Sequence, residues 1–137
     1  MKIPPELRAH VSARALGRCE YCLLHDDDSA YPHEVDHIIS LKHGGETSAG
    51  NLAYACFACN RFKGTDLGSI GPRSLLVRFF NPRSQGWAEH LLINGTVLEP
   101  ISNVGEVTAR ILRFNSAERV RERWGLQRLN RYPREFA

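Results

Sequence analysis

The sequence lacks any run of about 18 uninterrupted apolar residues, which argues against a membrane-spanning helix. Residues 1–6 contain no apolar stretch of the kind found in secretory signal peptides, so we expect a cytoplasmic protein. Internal repeats and low-complexity segments are also missing. At 137 residues, the chain suits one domain, or one domain with an elaboration.

Lysine is absent from residues 71–137, where all eleven basic residues are arginine and six residues are acidic. Residues 1–70 carry seven basic and nine acidic residues, and the whole chain has a formal charge of +3. Guanidinium groups bind phosphate oxygens through paired hydrogen bonds. The basic second half therefore favours a nucleic-acid partner, although a solvated helix face would give the same composition.

Cysteine is scarce, and the four cysteines fall into two C-x-x-C pairs, Cys19 with Cys22 and Cys56 with Cys59. In a protein that is not secreted, cysteines remain reduced, so this spacing favours a metal ion over disulfides. Four thiolates around one ion are typical of a structural zinc site. The sequence therefore predicts one Zn²⁺ that joins the two pairs.

Between and after these pairs, the pattern predicts a strand, a loop, a second strand and a helix. A β-branched run indicates a strand over residues 33–41, and a second strand is expected over residues 51–55. A helix is predicted over residues 57–63, ended by Gly64. Upstream, apolar residues at helical spacing predict another helix over residues 5–17.

The second half predicts a hairpin and two helices. Asn94-Gly95 is a strong hairpin signal between two apolar runs, and residues 75–80 form a further strand candidate. One helix is expected to begin at Asn103, and Ser116 is placed to cap another. The predicted apolar face of this last helix consists of Val120, Trp124 and Leu129. Trp87 and Trp124 are both expected to be core residues.

Several polar residues and glycines lie within or beside the cysteine bracket. They occur in the segments Val35-Asp36-His37-Ile38-Ile39, Gly44-Gly45, Asn51-Leu52 and Asn60-x-x-Lys63-Gly64. With the two cysteine pairs, these segments resemble the HNH endonuclease family in residue type, order and spacing. The resemblance covers about the first half of the chain. It implies an α+β fold, with a ββα-metal core that carries the four-cysteine zinc site.

The resemblance also implies roles for individual residues. His37 matches the general base and Asn51 the asparagine that braces the loop, while Asp36 and Asn60 match the ligands of a catalytic metal. Oxygen ligands suit Mg²⁺ or Mn²⁺ better than zinc. Asn60 stands where the family name has a histidine, and its neutral amide should bind a cation less tightly than a carboxylate would. Lys63 is expected to hold a neighbouring phosphate.

In a regular strand Asp36 and His37 face opposite sides, so they can serve one site only if the strand ends or bulges there.

The run from His33 to His37 also fits the H-E-x-x-H motif of zinc proteases. That chemistry needs a helix, whereas Pro32 and the β-branched residues here favour a strand.

Together these observations predict a metal-dependent endonuclease that hydrolyses phosphodiester bonds in DNA, double-stranded rather than single-stranded. Residues 1–68 would form the nuclease core, and residues 69–137 a hairpin and two helices packed on it. Arg61, Arg121 and Arg128 are predicted to contact the nucleic acid. Two alternatives stay open: a zinc-stabilised nucleic-acid-binding module without cleavage activity, and a nuclease directed at RNA.

Overall fold

The computed structural model describes residues 3–134 and has the predicted α+β architecture. The helices are α1 (Pro5–Arg14), α2 (Phe57–Lys63), α3 (Asn103–Ile111) and α4 (Ala117–Arg128). The strands are β1 (Glu34–His37), β2 (Leu52–Ala55), β3 (Gly68–Ile70), β4 (Leu76–Arg78), β5 (Leu91–Asn94) and β6 (Val97–Pro100). They pair as three antiparallel two-stranded sheets, β1 with β2, β3 with β4, and β5 with β6.

The β1–β2–α2 unit follows the predicted order, and α2 has the predicted bounds. Val35 lies opposite Tyr54 in the ladder. At the start of α2, the sulfur of Cys56 accepts a hydrogen bond from the Cys59 amide at 3.4 Å, which satisfies one unpaired helix N–H. At its end, Gly64 takes a φ of 53° and donates its amide to Asn60 O at 3.0 Å.

Strand β1 ends earlier than predicted, at His37 rather than at residue 41. The cause lies in Asn51, whose backbone and side chain replace the next rungs of the ladder. Its carbonyl accepts from the Ile38 amide at 2.9 Å, and its side-chain oxygen accepts from the Ile39 amide at 2.9 Å. Because the strand ends at His37, the condition under which Asp36 and His37 can serve one site is met.

Helix α1 begins at Pro5, as predicted, and ends at Arg14, three residues before the expected end. It covers the β1–β2 hairpin through a small apolar cluster. Val11, Leu52 and Tyr54 are buried in that cluster, and Leu7 and Val35 pack against it. Arg14 adds polar contacts, since its guanidinium donates to Ala49 O at 2.9 Å and to Leu52 O at 2.7 Å. The hairpin is therefore held by both apolar burial and hydrogen bonds.

Two hairpins occupy the first part of the second half. The predicted hairpin is present, but its two-residue turn is Gly95-Thr96, one residue later than the predicted Asn94-Gly95, and Gly95 takes a positive φ of 61° at the first turn position. Strand β3 was not predicted, because glycine is depleted in strands. Here a Cβ on Gly68 would lie 2.2 Å from Val77 O, so glycine permits the close approach of β3 to β4.

The predicted apolar face of the last helix is wrong. Trp124 is 53% exposed and Leu129 68% exposed, whereas Arg119 and Arg123 are buried. The two guanidinium groups satisfy backbone carbonyls that α3 and the following turn leave unpaired. Arg119 donates to Leu112 O at 2.7 Å, and Arg123 donates to Phe114 O at 2.5 Å. Buried donors and acceptors are normally paired, and here arginine provides the pairing.

The main hydrophobic cluster contains residues from both halves of the chain. Tyr21 and Ile38 share it with Phe80, Leu98 and Phe114. Trp87 packs against this cluster, and its indole N–H donates to Tyr21 O at 2.8 Å. The second half is thus packed on the first, while the division of the chain at residue 68 stays a prediction. Within residues 3–134, no helix is long and apolar enough to cross a membrane.

The segment that follows α4 returns to the loop before β1 and forms an ion-pair cluster around Asp28. Arg131 Nε lies 2.5 Å and Arg134 Nε 3.0 Å from the carboxylate oxygens of Asp28, which is nearly buried. Burial alone would raise the pKa of Asp28, but the hydrogen bonds and charges of Arg134 and Arg131 outweigh this and hold that pKa below its usual range. The ion pairs therefore stabilise the folded chain at neutral pH.

We predict that Asp28→Ala lowers the free energy of unfolding by about 2 kcal/mol at pH 7, because hydrogen bonds between charged groups are lost. A lowered folded-state pKa means that this stabilisation is complete above the unfolded value, near pH 4, and disappears as the pH falls through the folded value. Urea titrations between pH 2 and pH 7 measure both effects. Asp27→Ala is the control, since its side chain is 68% exposed. Equal losses for the two variants would contradict the prediction.

Candidate active site and metal centre

The four cysteines form one buried cluster. Cys19 and Cys22 lie just after α1, and Cys56 and Cys59 lie at the start of α2, so the cluster joins the two ends of the β1–β2–α2 unit. Their ligand atoms all lie within 4.8 Å of one another, and none of the four forms a disulfide. The sulfurs of Cys22 and Cys56 lie 3.6 Å apart. Four converging sulfurs can hold one tetrahedral metal ion, as predicted.

Arg119 of α4 lies against this cluster, which the sequence did not indicate. Its guanidinium donates to the sulfur of Cys59 at 3.2 Å and to that of Cys56 at 3.7 Å. Burial alone would lower the pKa of Arg119, but negative charge on the cysteines raises it above its usual value. Four thiolates around a divalent ion carry a net charge of −2, so one buried arginine halves the excess charge.

A second group of polar residues lines a cleft of about 300 Å³ at the end of β1. Asp36 and His37 come from β1, Asn60 from α2, and Lys42 and Thr65 from the loops that follow β1 and α2. Three of the sequence-predicted site residues, Asp36, His37 and Asn60, therefore lie around one cavity. A carboxylate, an imidazole and an amide in one cleft are suitable groups for metal binding and proton transfer.

Asp36 is buried beneath this cleft and forms an ion pair. Lys63 Nζ lies 2.9 Å from Asp36 Oδ2 and donates to the backbone carbonyl of His37 at 3.0 Å. Burial raises the pKa of Asp36, and the nearby Lys63 ammonium opposes that rise. Lys63 is itself buried, so its ammonium does not extend to the surface where the sequence placed a phosphate contact.

Asn51 braces the loop between β1 and the glycine pair. Its side-chain amide donates to Ile39 O at 2.9 Å and to Glu46 O at 2.8 Å, in addition to accepting from the Ile39 amide. Gly45 lies in this loop, and a Cβ there would come within 1.7 Å of Ile39 O. The asparagine and the glycine together hold the loop in a tight turn beside His37.

His37 is half-buried, and one ring nitrogen has a defined partner. Nε2 lies 2.9 Å from the hydroxyl oxygen of Thr47, a residue that the sequence did not single out. A threonine hydroxyl can donate or accept, so it can hold the ring while the other nitrogen faces a reactant. Thr47 thus fixes the orientation of the imidazole.

The arginines predicted to contact nucleic acid are exposed. Arg61 lies on α2, one residue after Asn60, and Arg121 lies on α4. Arg128, also on α4, places its guanidinium carbon 4.7 Å from the centre of the Trp124 ring. Other arginines of the second half donate hydrogen bonds to groups within the protein. The positive charge available to a partner is therefore smaller than the number of arginines in the sequence indicates. They include Arg110, Arg119, Arg123, Arg131 and Arg134.

The zinc-protease motif is excluded by the structure. His33 to His37 lie on extended backbone rather than on a helix, so the two histidines do not converge as that motif requires. His33 is buried, and its Nε2 lies 2.8 Å from Leu24 O. This histidine has a structural contact instead.

Comparison with known families identifies the same region. Residues 19–66 match the family model described as HNH endonuclease, and this segment contains both cysteine pairs and the whole β1–β2–α2 unit. No curated protein and no solved structure matches the chain. The match supports a nuclease-type activity on nucleic acid.

We predict about one zinc ion per chain, bound by the four cysteine sulfurs. Cys56→Ser removes one ligand and is expected to reduce both the zinc content and the thermal stability, because binding of a structural metal is coupled to folding. Elemental analysis and thermal unfolding measure the two effects. Arg119→Lys is the control, since it keeps all four ligands and should keep the zinc. Purified protein without zinc would contradict the prediction.

Proposed function

We propose that the protein is a metal-dependent endonuclease that hydrolyses phosphodiester bonds in DNA, because residues 19–66 match the family model described as HNH endonuclease. The observation that carries this proposal is the cleft in which Asp36, His37 and Asn60 meet at the end of β1. Hydrolysis of a phosphodiester needs a base for the attacking water and positive charge beside the phosphate. The cleft offers candidates for both requirements.

His37 is the proposed general base. With Nε2 held by Thr47 at 2.9 Å, Nδ1 can accept a proton from a water molecule in the cleft. The water oxygen then forms a bond to phosphorus while the bond to the leaving oxygen breaks, and that oxygen takes a proton from solvent. Asn51 acts as a positioning residue, because its three hydrogen bonds hold the loop beside His37.

The proposed catalytic cation is Mg²⁺ or Mn²⁺, held by the Asp36 carboxylate and the Asn60 amide oxygen. Both are oxygen donors that line the same cleft, which fits a hard divalent cation. When bound, such an ion supplies charge neutralisation at the scissile phosphate. Lys63 Nζ is already 2.9 Å from Asp36 Oδ2, so the cation and the ammonium would share one carboxylate. This arrangement suits a weak cation site.

The four-cysteine cluster has a different proposed role. All four cysteines are buried, and Arg119 contacts the sulfurs of Cys56 and Cys59, so a zinc ion bound there would have no open position for water. Closed tetrahedral sites stabilise the fold rather than perform chemistry. We assign the zinc ion to the scaffold, and the exposed Arg61, Arg121 and Arg128 to the backbone of the DNA.

We predict that His37→Ala lowers plasmid cleavage by about 100-fold or more, because general bases contribute factors of that size. Folding and DNA binding should be nearly unchanged, since His37 is half-buried at a strand end. Agarose gels with Mg²⁺, Mn²⁺ or EDTA measure the rate and its metal dependence.

His10→Ala serves as the control for the His37 variant, because His10 is an exposed histidine on α1. Cleavage by His37→Ala at the wild-type rate would remove His37 as the base. Full activity in EDTA would remove the catalytic metal. Binding without any cleavage by the wild-type protein would favour the non-cleaving module, and cleavage confined to RNA would favour an RNA-directed nuclease.

We also predict that Arg121→Ala combined with Arg128→Ala weakens binding to all DNA sequences alike. Each lost phosphate contact should flatten the slope of log affinity against log salt by about 0.9, so a change of about one to two is expected. Titrations across a salt series measure the slope. Arg8→Ala with Arg110→Ala is the matched control, because it removes the same charge while Arg110 is already paired with Glu106 at 2.6 Å. An unchanged slope in the α4 variant would contradict this prediction.

A further inference from the structure

A second cavity, of about 410 Å³, lies beside the metal cluster. Its walls come from the loop before β1, from α2, from the turn between α3 and α4, and from the first turns of α4. Five of its lining residues define what we name the aromatic groove: Tyr31, Phe57, Arg61, Phe62 and Arg113. The catalytic residues proposed above are not among those that line it.

Two aromatic rings at this groove are exposed, and no part of residues 3–134 covers them. Tyr31 is 59% exposed and Phe57 is 42% exposed, and their ring centres lie 4.8 Å apart with an interplanar angle of 33°. Large aromatic side chains normally bury most of their surface. The two rings are tilted against each other, and the exposed part of each ring offers an apolar face on which a planar ligand can stack.

Two arginines supply positive charge beside these rings. Arg61 is exposed on α2, and the guanidinium carbon of Arg113 lies 4.5 Å from the centre of the Phe62 ring. Arg113 has a φ of 54° in the turn after α3, a conformation that glycine adopts at lower cost. Arginine at this position therefore directs a cation over an aromatic ring at the expense of backbone strain.

Ring faces combined with guanidinium groups are the features by which proteins bind unpaired nucleotides. Bases stack on aromatic side chains, and arginines contact the adjoining phosphates. In a paired duplex the base faces are stacked inside the helix, so only an unpaired base can use these rings. Glu118 and Glu122 also line the cavity and disfavour a second phosphate there, which fits a site for one base and its neighbouring phosphate.

Helix α2 connects this groove to the cleft. Phe57 and Asn60 are three residues apart, so they are neighbours on the helix surface, and the seven-residue helix is only about 10 Å long. A strand with its scissile phosphate at the cleft can therefore place a nearby nucleotide in the groove. This step rests on the proposed function.

We infer that the aromatic groove binds an unpaired base of the DNA substrate, so that the enzyme prefers DNA with unpaired nucleotides next to the cleaved bond. The competing expectation is that fully paired duplex is bound equally well. The two expectations differ in one measurable ratio, the affinity for gapped DNA divided by the affinity for intact duplex.

The test measures this ratio by fluorescence anisotropy at fixed salt, with His37→Ala protein to prevent cleavage. The probes are a 30-base-pair duplex and the same duplex with a three-nucleotide gap. Tyr31→Leu with Phe57→Leu removes the ring faces but keeps apolar bulk. We expect this variant to lose about tenfold in affinity for the gapped probe and less than twofold for the duplex.

Trp124→Leu is the matched control, because Trp124 is another exposed ring beside an arginine, Arg128, and lies outside the groove. It should leave the ratio unchanged. Tyr31→Leu alone provides a second variant on a loop, should the double change impair folding, and circular dichroism checks the fold. A 2-aminopurine base in the gap should be quenched by stacking in the parent protein and less so in either groove variant.

The outcomes separate this inference from the proposed function. Equal losses on both probes, or no loss on the gapped probe, would overturn the groove as a base site even if the wild-type protein cleaves DNA. A preference for gapped DNA that the groove variants abolish would support it even if the wild-type protein cleaves nothing. If the protein binds neither the duplex nor the gapped probe, both proposals are overturned.

Discussion

The fold depends on bringing four sulfur atoms within 4.8 Å of one another in the interior. As thiolates they would repel one another strongly where water is excluded, so the arrangement is favourable only with a cation among them. Arg119 supplies one positive charge from α4, and a divalent metal would supply two more. This requirement joins the end of α1, the start of α2 and α4 at one point, and it connects the two halves of the chain by electrostatics as well as by apolar burial.

The structural features that could be predicted from the sequence depend on residues that are close together in the chain. The C-x-x-C spacing, the Gly64 stop, the Asn94-Gly95 hairpin signal and the Ser116 cap act over a few residues, and each produces the expected feature, with the hairpin turn one residue later than predicted. The residue pattern also predicted the order of β1, β2 and α2, and the family resemblance agreed with it. The interior face of α4 could not be predicted in this way, because Arg119 is buried by partners some 60 residues away. Hydrophobicity alone placed Trp124 inside, whereas the structure exposes Trp124 and buries both Arg119 and Arg123.

In the candidate site, too, some residues could be predicted from the sequence and one contact could not. Asp36, His37 and Asn60 were singled out by residue type and spacing, and the structure gathers them around one cleft. Their roles remain proposals. The position of Lys63 could not be inferred, since whether an ammonium faces solvent or a buried carboxylate depends on how α2 lies against β1. Burial raises the pKa of Asp36, and its ion pair with Lys63 opposes that rise and favours the carboxylate form in the cleft.

Helix α2 has only seven residues, too few to be stable alone in water, yet it contributes to the metal cluster, the cleft and the aromatic groove. Cys59 faces the metal cluster, Lys63 faces Asp36, Asn60 lines the cleft, and Phe57 lines the aromatic groove. Its position is fixed at one end by the sulfurs and at the other by the Lys63 ion pair. A metal ion at the cysteines would therefore set the geometry of both the cleft and the groove. On these grounds, loss of zinc would abolish activity although zinc takes no part in the chemistry.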